Sequence, residues 1–321
     1  MTSTLQADPK APAAADAPSS AVALGQINAT ASVDGRSALE TPSGKNASTE
    51  NFPVGSFLLP KALRPHVATF YAYARAIDDI ADNGAVPADE RIRRLRAFDA
   101  ALTGEAVSDG AEKAVALRQS LSVCGVTNRH GRDLIAAFIQ DCEKSRYETW
   151  DELIGYCALS ANPVGRYLLD LHGEDPAGYK YSDALCTVLQ IVNHLQDCGD
   201  DRRDMDRVYI VQSWLRAAGG DIDLIDKLET APPLRATIDQ MLDGCEQMML
   251  DARRLPGALK SRRLAMESAI IVRLADRLIT LLRNGDPLAT RVALSKLDFV
   301  SAGFRGAIAG FLSAGRGAVK P

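Results

Sequence analysis

The sequence has 321 residues, of which 46% are hydrophobic, and its 41 acidic residues against 37 Lys and Arg give a formal charge of -4. The apolar content suffices for a large buried core, whereas the interspersed basic residues exclude the clustered positive surface of a general nucleic-acid binder. Charged residues interrupt each hydrophobic run before the roughly 20 apolar residues of a membrane-spanning helix, so we expect a cytoplasmic protein.

The first segment, residues 1–47, is predicted to be a disordered tail. It is rich in Ala, Ser, Thr, Gly, Asp and Pro and has no apolar period, so it cannot bury enough surface to offset the entropy of ordering. Its composition fits neither a secretory signal nor a mitochondrial presequence. Residues 48–321 are interpreted as one helical domain.

From Pro60 onward the apolar residues recur three and four positions apart, and Pro and Gly fall mainly between the periodic stretches. This pattern is typical of helices joined by short connections. The predicted helices span residues 61–83, 88–103, 111–124, 129–147, 149–172, 180–205, 221–229, 233–254, 261–284 and 290–314. The sequence therefore predicts an all-α, single-domain helical bundle.

The first predicted helix carries a pair of aspartates, Asp78 and Asp82, at its end. They are four residues apart and therefore share one face of the helix. Because like charges at this spacing repel each other, the pair indicates either bulk solvent or a compensating cation. The same helix is apolar from Val67 to Ile80, which favours the cation.

A second helix places Asn193, Asp197 and Asp201 along one stripe at intervals of four residues. Magnesium prefers oxygen ligands, keeps several waters and is commonly shared between carboxylates and substrate phosphates. Either cluster alone could be a solvated helix end, but two clusters beside apolar helix and Arg favour a magnesium site. Basic residues that could complete a diphosphate clamp are Arg75, Arg202, Arg203 and Arg207.

Other reactive side chains are less informative. The six cysteines are scattered without Cys-x-x-Cys spacing and the histidines lack metal-ligand spacing, so we infer reduced thiols and no zinc site. His194 is interpreted as a packed histidine, with a role beside the acidic stripe as the alternative. Asp141, Arg146 and Tyr147 resemble a cavity-facing segment of a known family, and an interhelical hydrogen-bond network is an equally good interpretation.

Three blocks of residues carry a resemblance to a known family. They are Phe52, Leu59-Pro60, Tyr71, Arg75, Asp78 and Asp82; then Tyr156-Cys157, Ala161 and Val164-Gly165; then Gln190, Asn193, Asp197, Asp200-Asp201, Arg207 and Tyr209. In order and spacing these blocks resemble the squalene and phytoene synthase family over nearly everything after residue 48. The resemblance implies a class I isoprenoid synthase fold with a central apolar cavity, an isoprenoid diphosphate substrate and Mg²⁺.

The resemblance also implies roles for single residues. The magnesium ligands would be Asp78, Asp82, Asn193, Asp197 and Asp201. The catalytic residues would be Tyr71, Tyr156 and Tyr209, and the substrate-binding residues would be Phe52, Arg75, Val164, Gly165, Gln190 and Arg207.

Departures from the family pattern help to choose a branch. Asn51 replaces a usual Ser, Gln196 a usual Arg, and Asp206 and Val211 a usual Gly and Pro. With these features the chain looks like the hopanoid-pathway branch. That resemblance implies magnesium-dependent ionisation of presqualene diphosphate and capture of the cation by water to give hydroxysqualene, without a nicotinamide. Gln196 counts against a second full-strength diphosphate site.

Two alternatives stay open from the sequence. The first is head-to-head condensation of two prenyl diphosphates to presqualene diphosphate, squalene or phytoene; the second is a non-catalytic helical scaffold or lipid-binding protein. The apolar closing stretch from Phe299 to Leu312 is predicted to cap the bundle, and contact with the inner face of a membrane is the alternative. Enzymes of the same pathway are the partners that the resemblance implies.

Overall fold

The computed structural model describes residues 58–106 and 109–314, so the predicted tail and Phe52 lie outside the described range. Within that range the chain forms α-helices and two short 3₁₀ turns, and no extended strand occurs there. An isolated backbone bridge joins Arg146 and Val208. The all-α prediction is confirmed.

The helices are connected mostly by short segments. Their bounds are α1 (Arg64–Ala81), α2 (Ala88–Thr103), α3 (Glu112–Cys124), α4 (Arg129–Glu143), α5 (Trp150–Ser160), α6 (Asn162–Leu171), α7 (Tyr179–Gln196), α8 (Cys198–Met205), α9 (Gln212–Ala217), α10 (Pro232–Ala252), α11 (Leu255–Ala258), α12 (Arg262–Asn284) and α13 (Lys296–Ser313). The 3₁₀ turns are Pro176–Gly178 and Ile222–Asp226.

Several predicted boundaries were wrong, for local reasons. The span 149–172 is two helices, because Pro163 lies in the first turn of α6 and cannot continue the hydrogen-bond ladder of α5. The span 180–205 is interrupted at Asp197. Helix α9 was not predicted, and α13 begins at Lys296 because Ser295 and Asp298 form a capping box.

Two groups of buried apolar residues hold the helices together. One includes Phe70, Ile77 and Phe98 and belongs to the packing of α1 against α2, α3 and α4. The other includes Val188 and Leu242 and surrounds α7, which packs against α5, α6, α10 and α12. Helices α1 and α7, which carry the two acidic stripes, are thus central in their respective groups.

Helix α13 packs closely on α12 through small residues. A Cβ atom added at Gly306 would lie 2.7 Å from the Cα of Ile270, and one at Gly310 would lie 2.5 Å from the Cα of Met266. These contacts hold α13 against α12. The opposite side of α13 exposes the large apolar side chains of Leu297, Val300, Phe304, Ile308, Phe311 and Leu312, and Phe299 is partly exposed as well.

Among the described residues, no helix is both long enough and apolar enough to cross a membrane.

Candidate active site

A polar cavity of about 300 Å³ is lined by side chains from α1, α4, α5, α6, α7 and α8 and from the segment that follows α8. It brings together most of the residues singled out in the sequence. These are Tyr71, Arg75, Asp78, Asp82, Tyr156, Val164, Gln190, Asn193, Asp197, Asp201, Arg207 and Tyr209. Gly165 lines an adjoining cavity instead.

Helix α1 supplies one acidic wall and fixes a guanidinium beside it. Arg75 Nη1 lies 2.7 Å from Asp78 Oδ2, and Arg75 Nη2 lies 2.8 Å from Asp79 Oδ1. Burial disfavours the charged guanidinium, but the two carboxylates outweigh that cost and raise the pKa of Arg75. Arg75 is therefore a fixed positive charge at the cavity wall.

The second guanidinium, Arg207, comes from the segment after α8 and reaches the end of α1. Its Nη1 lies 2.5 Å from Asp82 Oδ1, and its Nη2 donates to the Ala81 carbonyl at 3.2 Å. Burial disfavours the charge, but Asp82 and Asp141 raise the pKa of Arg207 above its ordinary value. The pair fixes both a cation and a carboxylate in the wall of the cavity.

The second acidic stripe crosses the junction of α7 and α8. The Asp197 amide donates to the Asn193 carbonyl at 3.0 Å and the Asp201 amide donates to the Asp197 carbonyl at 2.8 Å. Helical hydrogen bonding therefore continues through the break at Asp197, and the three side chains keep one face. All three line the polar cavity.

The residues beside this stripe face elsewhere. Arg202 and Arg203 do not line the polar cavity; Arg202 Nε pairs with Asp226 at 3.1 Å, and Arg203 Nη2 pairs with Asp200 at 2.7 Å. The hypothesis that both arginines join the diphosphate clamp is therefore wrong for this arrangement. Gln196 is buried and donates to the Val292 carbonyl at 2.6 Å, outside the cavity lining.

An aromatic cluster forms the floor of the cavity around one buried carboxyl. Asp141 accepts hydrogen bonds from the hydroxyl of Tyr156 at 2.8 Å and from that of Tyr209 at 3.2 Å. Burial raises the pKa of Asp141 to about 6, against the opposing effect of Arg207. Burial also raises the pKa of both tyrosines, so their phenols stay neutral. Asp141 is at once a cavity residue and an interhelical hydrogen-bond acceptor.

His194 lies against this cluster. Its ring stacks on Tyr209 with centroids 3.5 Å apart, and its Nε2 lies 3.0 Å from Gln190 Nε2. Burial lowers the pKa of His194 to about 3, with a smaller contribution from Arg207. The ring is therefore neutral near pH 7, and the 3.9 Å approach of its Nδ1 to Asp201 is not an ion pair. His194 packs in the interior and lines the cavity as well.

An apolar cavity of about 250 Å³ adjoins the polar one, and the two share Tyr71, Ala74 and Val164. Its wall is mainly aliphatic and aromatic; Phe70, for example, stacks on Tyr167 with centroids 3.9 Å apart. At the wall, a Cβ atom added to Gly165 would lie 2.3 Å from Ser182 Oγ, so glycine permits the close approach of α6 to α7. A charged cavity thus continues directly into a hydrocarbon-like one.

The oxygen donors fit magnesium in a shared site. Among residues 58–106 and 109–314, no three His, Cys, Asp or Glu side chains are grouped so that they could hold a metal ion. Magnesium, however, keeps waters and takes phosphate oxygens, so one or two carboxylates on each wall are sufficient. The donors that line the polar cavity are Asp78, Asp82, Asn193, Asp197 and Asp201. This set is rich in hard oxygen and contains no sulfur.

Some lining residues were not chosen from the sequence. Leu134 and Phe138 lie at helical spacing with Asp141 on one face of α4, and all three line the polar cavity. Only Asp141 was singled out from the sequence, with its role left open, and a single acid on that apolar face was the signal for its neighbours. Glu267 lines the apolar cavity and was missed as well. The signal is again a single acid on an apolar helix face, because Glu267 lies between Leu264 and Ile271 on α12.

Comparisons with known proteins find relatives over most of the chain. Residues 45–298 match the family model described as squalene/phytoene synthase. Hydroxysqualene synthases from Rhodopseudomonas palustris and Zymomonas mobilis are both 40% identical to the chain, over 84% and 82% of it and over 91% and 88% of their own lengths. The crystal structure of squalene synthase HpnC from Alicyclobacillus acidocaldarius is 30% identical, with a TM-score of 0.64 over 74% of this chain and 89% of that one.

Proposed function

Because the chain belongs to the squalene/phytoene synthase family, we propose that it converts presqualene diphosphate and water into hydroxysqualene and inorganic diphosphate. The observation that carries the proposal is the continuity of the two cavities at Tyr71, Ala74 and Val164. A molecule with a charged head and long hydrocarbon chains matches such a pair of compartments. The relatives named hydroxysqualene synthase favour this reaction over others of the family.

The polar cavity would hold the diphosphate. Magnesium bound by Asp78, Asp82, Asn193, Asp197 and Asp201 would supply charge neutralisation of the leaving group. Arg75 and Arg207 would donate charge-assisted hydrogen bonds to diphosphate oxygens. Both guanidiniums are already oriented by carboxylates of α1, so little side-chain entropy is lost when the substrate binds.

The aromatic cluster would stand between the leaving group and the hydrocarbon. The ring of Tyr71 belongs to both cavities, while Tyr156 and Tyr209 line the polar one. Aromatic faces attract cations, and phenols that stay neutral add no negative charge able to trap a carbocation prematurely. We therefore assign these three tyrosines to stabilisation of the positive charge. Gln190 is held beside them by its contact with His194.

The apolar cavity would hold the hydrocarbon chains and exclude bulk water. Val164 and Gly165 form part of its wall on α6, and the glycine lets the wall lie close to α7. A dry pocket suppresses random quenching of a carbocation, so any water that reacts must be held at a defined place. Phe52, the remaining predicted substrate residue, lies outside the described residues.

We place the enzyme in the cytoplasm, with α13 in contact with the membrane surface. The exposed side chains Leu297, Val300, Phe304 and Ile308 recur at helical spacing and form a stripe on α13. An apolar stripe of this kind suits the headgroup boundary of a bilayer. A substrate with long isoprenoid chains would reach the protein from that surface.

The test is product analysis with purified full-length protein, presqualene diphosphate and magnesium, with and without NADPH. We expect hydroxysqualene in both reactions. Formation of squalene only when NADPH is present, or turnover of farnesyl diphosphate alone, would assign the chain to the condensing synthases instead. No turnover of any prenyl diphosphate would favour the non-catalytic scaffold.

A further inference from the structure

The wall of the apolar cavity contains one carboxyl group, Glu267 of α12. The side chain is only 6% exposed, and its Oε2 is buried without a hydrogen-bond partner among the described residues. Ser268, the next residue, is also part of the cavity wall. A buried carboxyl oxygen without a partner among the described residues costs folding free energy, which favours a functional role for this group.

Another buried glutamate, Glu174, shows what a structural carboxylate looks like in this fold. Its two oxygens accept hydrogen bonds from the backbone amides of Lys260 and Ser261, both at 2.7 Å. It thereby anchors the start of α12 and is satisfied by that role. Glu267 has no comparable arrangement for its Oε2, and it faces the compartment that would hold the hydrocarbon.

The chemistry of the proposed reaction supplies a reason for a carboxyl at this place. The cation formed after diphosphate leaves must be attacked by a single water molecule, and that water must lose a proton. A base within the polar cavity would lie beside the diphosphate, whereas Glu267 lines only the apolar one. Burial raises the pKa of Glu267 to about 7, which suits a group that accepts a proton near neutral pH.

We infer that Glu267 is the general base that holds and deprotonates the water captured by the carbocation. In this step the water oxygen donates a lone pair to the cationic carbon and forms the C–O bond, and one water proton passes to the Glu267 carboxylate. Diphosphate has already left with the electron pair of its own C–O bond, so charge and atoms balance. The inference rests on the proposed function.

The decisive experiment measures two products separately with presqualene diphosphate and magnesium: released diphosphate, which reports ionisation, and hydroxysqualene. For Glu267→Gln we expect ionisation within about threefold of wild type, but a fall of about tenfold or more in hydroxysqualene formed per diphosphate released. The missing product should be replaced by hydrocarbon formed through loss of a proton from carbon. Glu267→Asp, which keeps the carboxyl, should retain an intermediate share of alcohol.

The matched control is Glu174→Gln, because it alters a buried glutamate that does not line either cavity. It should lower the melting temperature while leaving the share of alcohol unchanged. Circular dichroism establishes folding of each variant, and the product ratio does not depend on how much folded enzyme is present.

The possible outcomes separate the two proposals. Failure of the wild-type protein to ionise presqualene diphosphate overturns the proposed function. Wild-type production of hydroxysqualene together with an unchanged alcohol share in Glu267→Gln overturns the general-base assignment alone. The general-base assignment is also overturned if Glu267→Asp, Glu267→Gln and Glu174→Gln all lower the alcohol share to the same extent. The effect would then be structural.

Discussion

Arg207 Nη1 and Asp82 Oδ1 lie 2.5 Å apart and join the end of α1 to the segment after α8, across 125 positions of sequence. The two acidic stripes end at these elements, because Asp82 closes the first and Asp201 closes the second. The ion pair therefore helps to set the distance between the stripes. Its two side chains are 8% and 22% exposed, so solvent screens it only in part.

The first prediction concerns this pair. Replacing Arg207 by Gln should lower the free energy of unfolding by about 2 kcal/mol, because Asp82 loses its partner in a half-buried place. It should also lower kcat/KM by about 100-fold, since a donor to the diphosphate is lost. Urea unfolding and steady-state kinetics measure the two effects.

Arg202→Gln is the matched control, because its ion pairs with Asp206 and Asp226 lie outside the cavity and the partner side chains are 69% and 48% exposed. Such pairs contribute about 0–1 kcal/mol. Equal losses of activity in the two variants would contradict the placement of Arg207 at the substrate.

Local spacing made much of the site predictable. The helical intervals of Asp78 to Asp82 and of Asn193 to Asp201 place each stripe on one face, and the structure keeps these faces even where α7 ends. Spacing does not determine the direction of neighbouring charged side chains, so the sequence could not separate Arg202 and Arg203 from the cavity-lining Arg75 and Arg207 as candidates for the clamp. Their direction depends on tertiary contacts with distant acids.

The departures from the family pattern also have physical explanations. Asp206 has a φ of 52°, in the left-handed region that glycine occupies freely and Asp tolerates better than most residues. Val211 has a φ of -64°, which is the value a proline ring imposes. The backbone that the family builds with Gly and Pro is therefore kept here by other residues, which a sequence comparison alone does not reveal.

The second prediction tests the magnesium assignment. Asp78→Asn keeps the size of the side chain but removes the charge, so we expect turnover to fall about 100-fold or more. Binding has its own readout, because a ligand of the folded state raises the melting temperature. Magnesium with inorganic diphosphate should stabilise wild-type protein and should stabilise Asp78→Asn much less.

Asp200→Asn provides the comparison for this variant, since Asp200 is exposed and pairs with Arg203 outside the cavity. It should retain both turnover and the magnesium-dependent stabilisation. An Asp78→Asn protein that is stabilised as strongly as wild type would refute the role of Asp78 as a ligand.

The third prediction concerns the wall between α6 and α7. A Cβ atom at Gly165 would lie 2.3 Å from Ser182 Oγ and 2.6 Å from Cys186 Sγ, so Gly165→Ala requires these side chains to change rotamer or α6 and α7 to move apart. We expect a loss of about 1–3 kcal/mol of stability and a higher KM, because the wall of the apolar cavity moves. Gly155→Ala in α5 meets no atom within 4 Å and should be neutral or stabilising by about 0.5–1 kcal/mol. Similar melting temperatures for both variants would show that Ser182 and Cys186 make room for the methyl group without cost and would contradict the prediction.

The fourth prediction uses the burial of Glu267, which raises the pKa of that carboxyl from 4.5 to about 7. Between these two values the folded protein holds a proton that the unfolded chain has lost, so this group lowers the free energy of unfolding as pH rises through the window. Glu267→Gln removes the effect. As pH rises from below to above this window, the free energy of unfolding of the variant should therefore increase relative to that of wild type by up to about 3 kcal/mol.

Chemical unfolding of both proteins at the two ends of this pH range measures the difference. The comparison of variant with wild type cancels the titration of all other groups that the substitution leaves alone. A constant difference across the range would mean that Glu267 is hydrated in solution, which would also weaken its assignment as a buried base.

The fifth prediction concerns the exposed face of α13. Phe304 is 72% exposed and lies near the middle of the apolar stripe. If this stripe lies in the headgroup region, Phe304→Glu should reduce flotation with phospholipid vesicles about tenfold or more, since each buried aromatic ring contributes about 1.5–3 kcal/mol. Turnover of detergent-dispersed substrate should stay unchanged, because Phe304 lines neither cavity.

Val123→Glu is the control at a similarly exposed apolar side chain, 79% exposed at the end of α3. Equal loss of vesicle binding in both variants would rule out α13 as the contact surface.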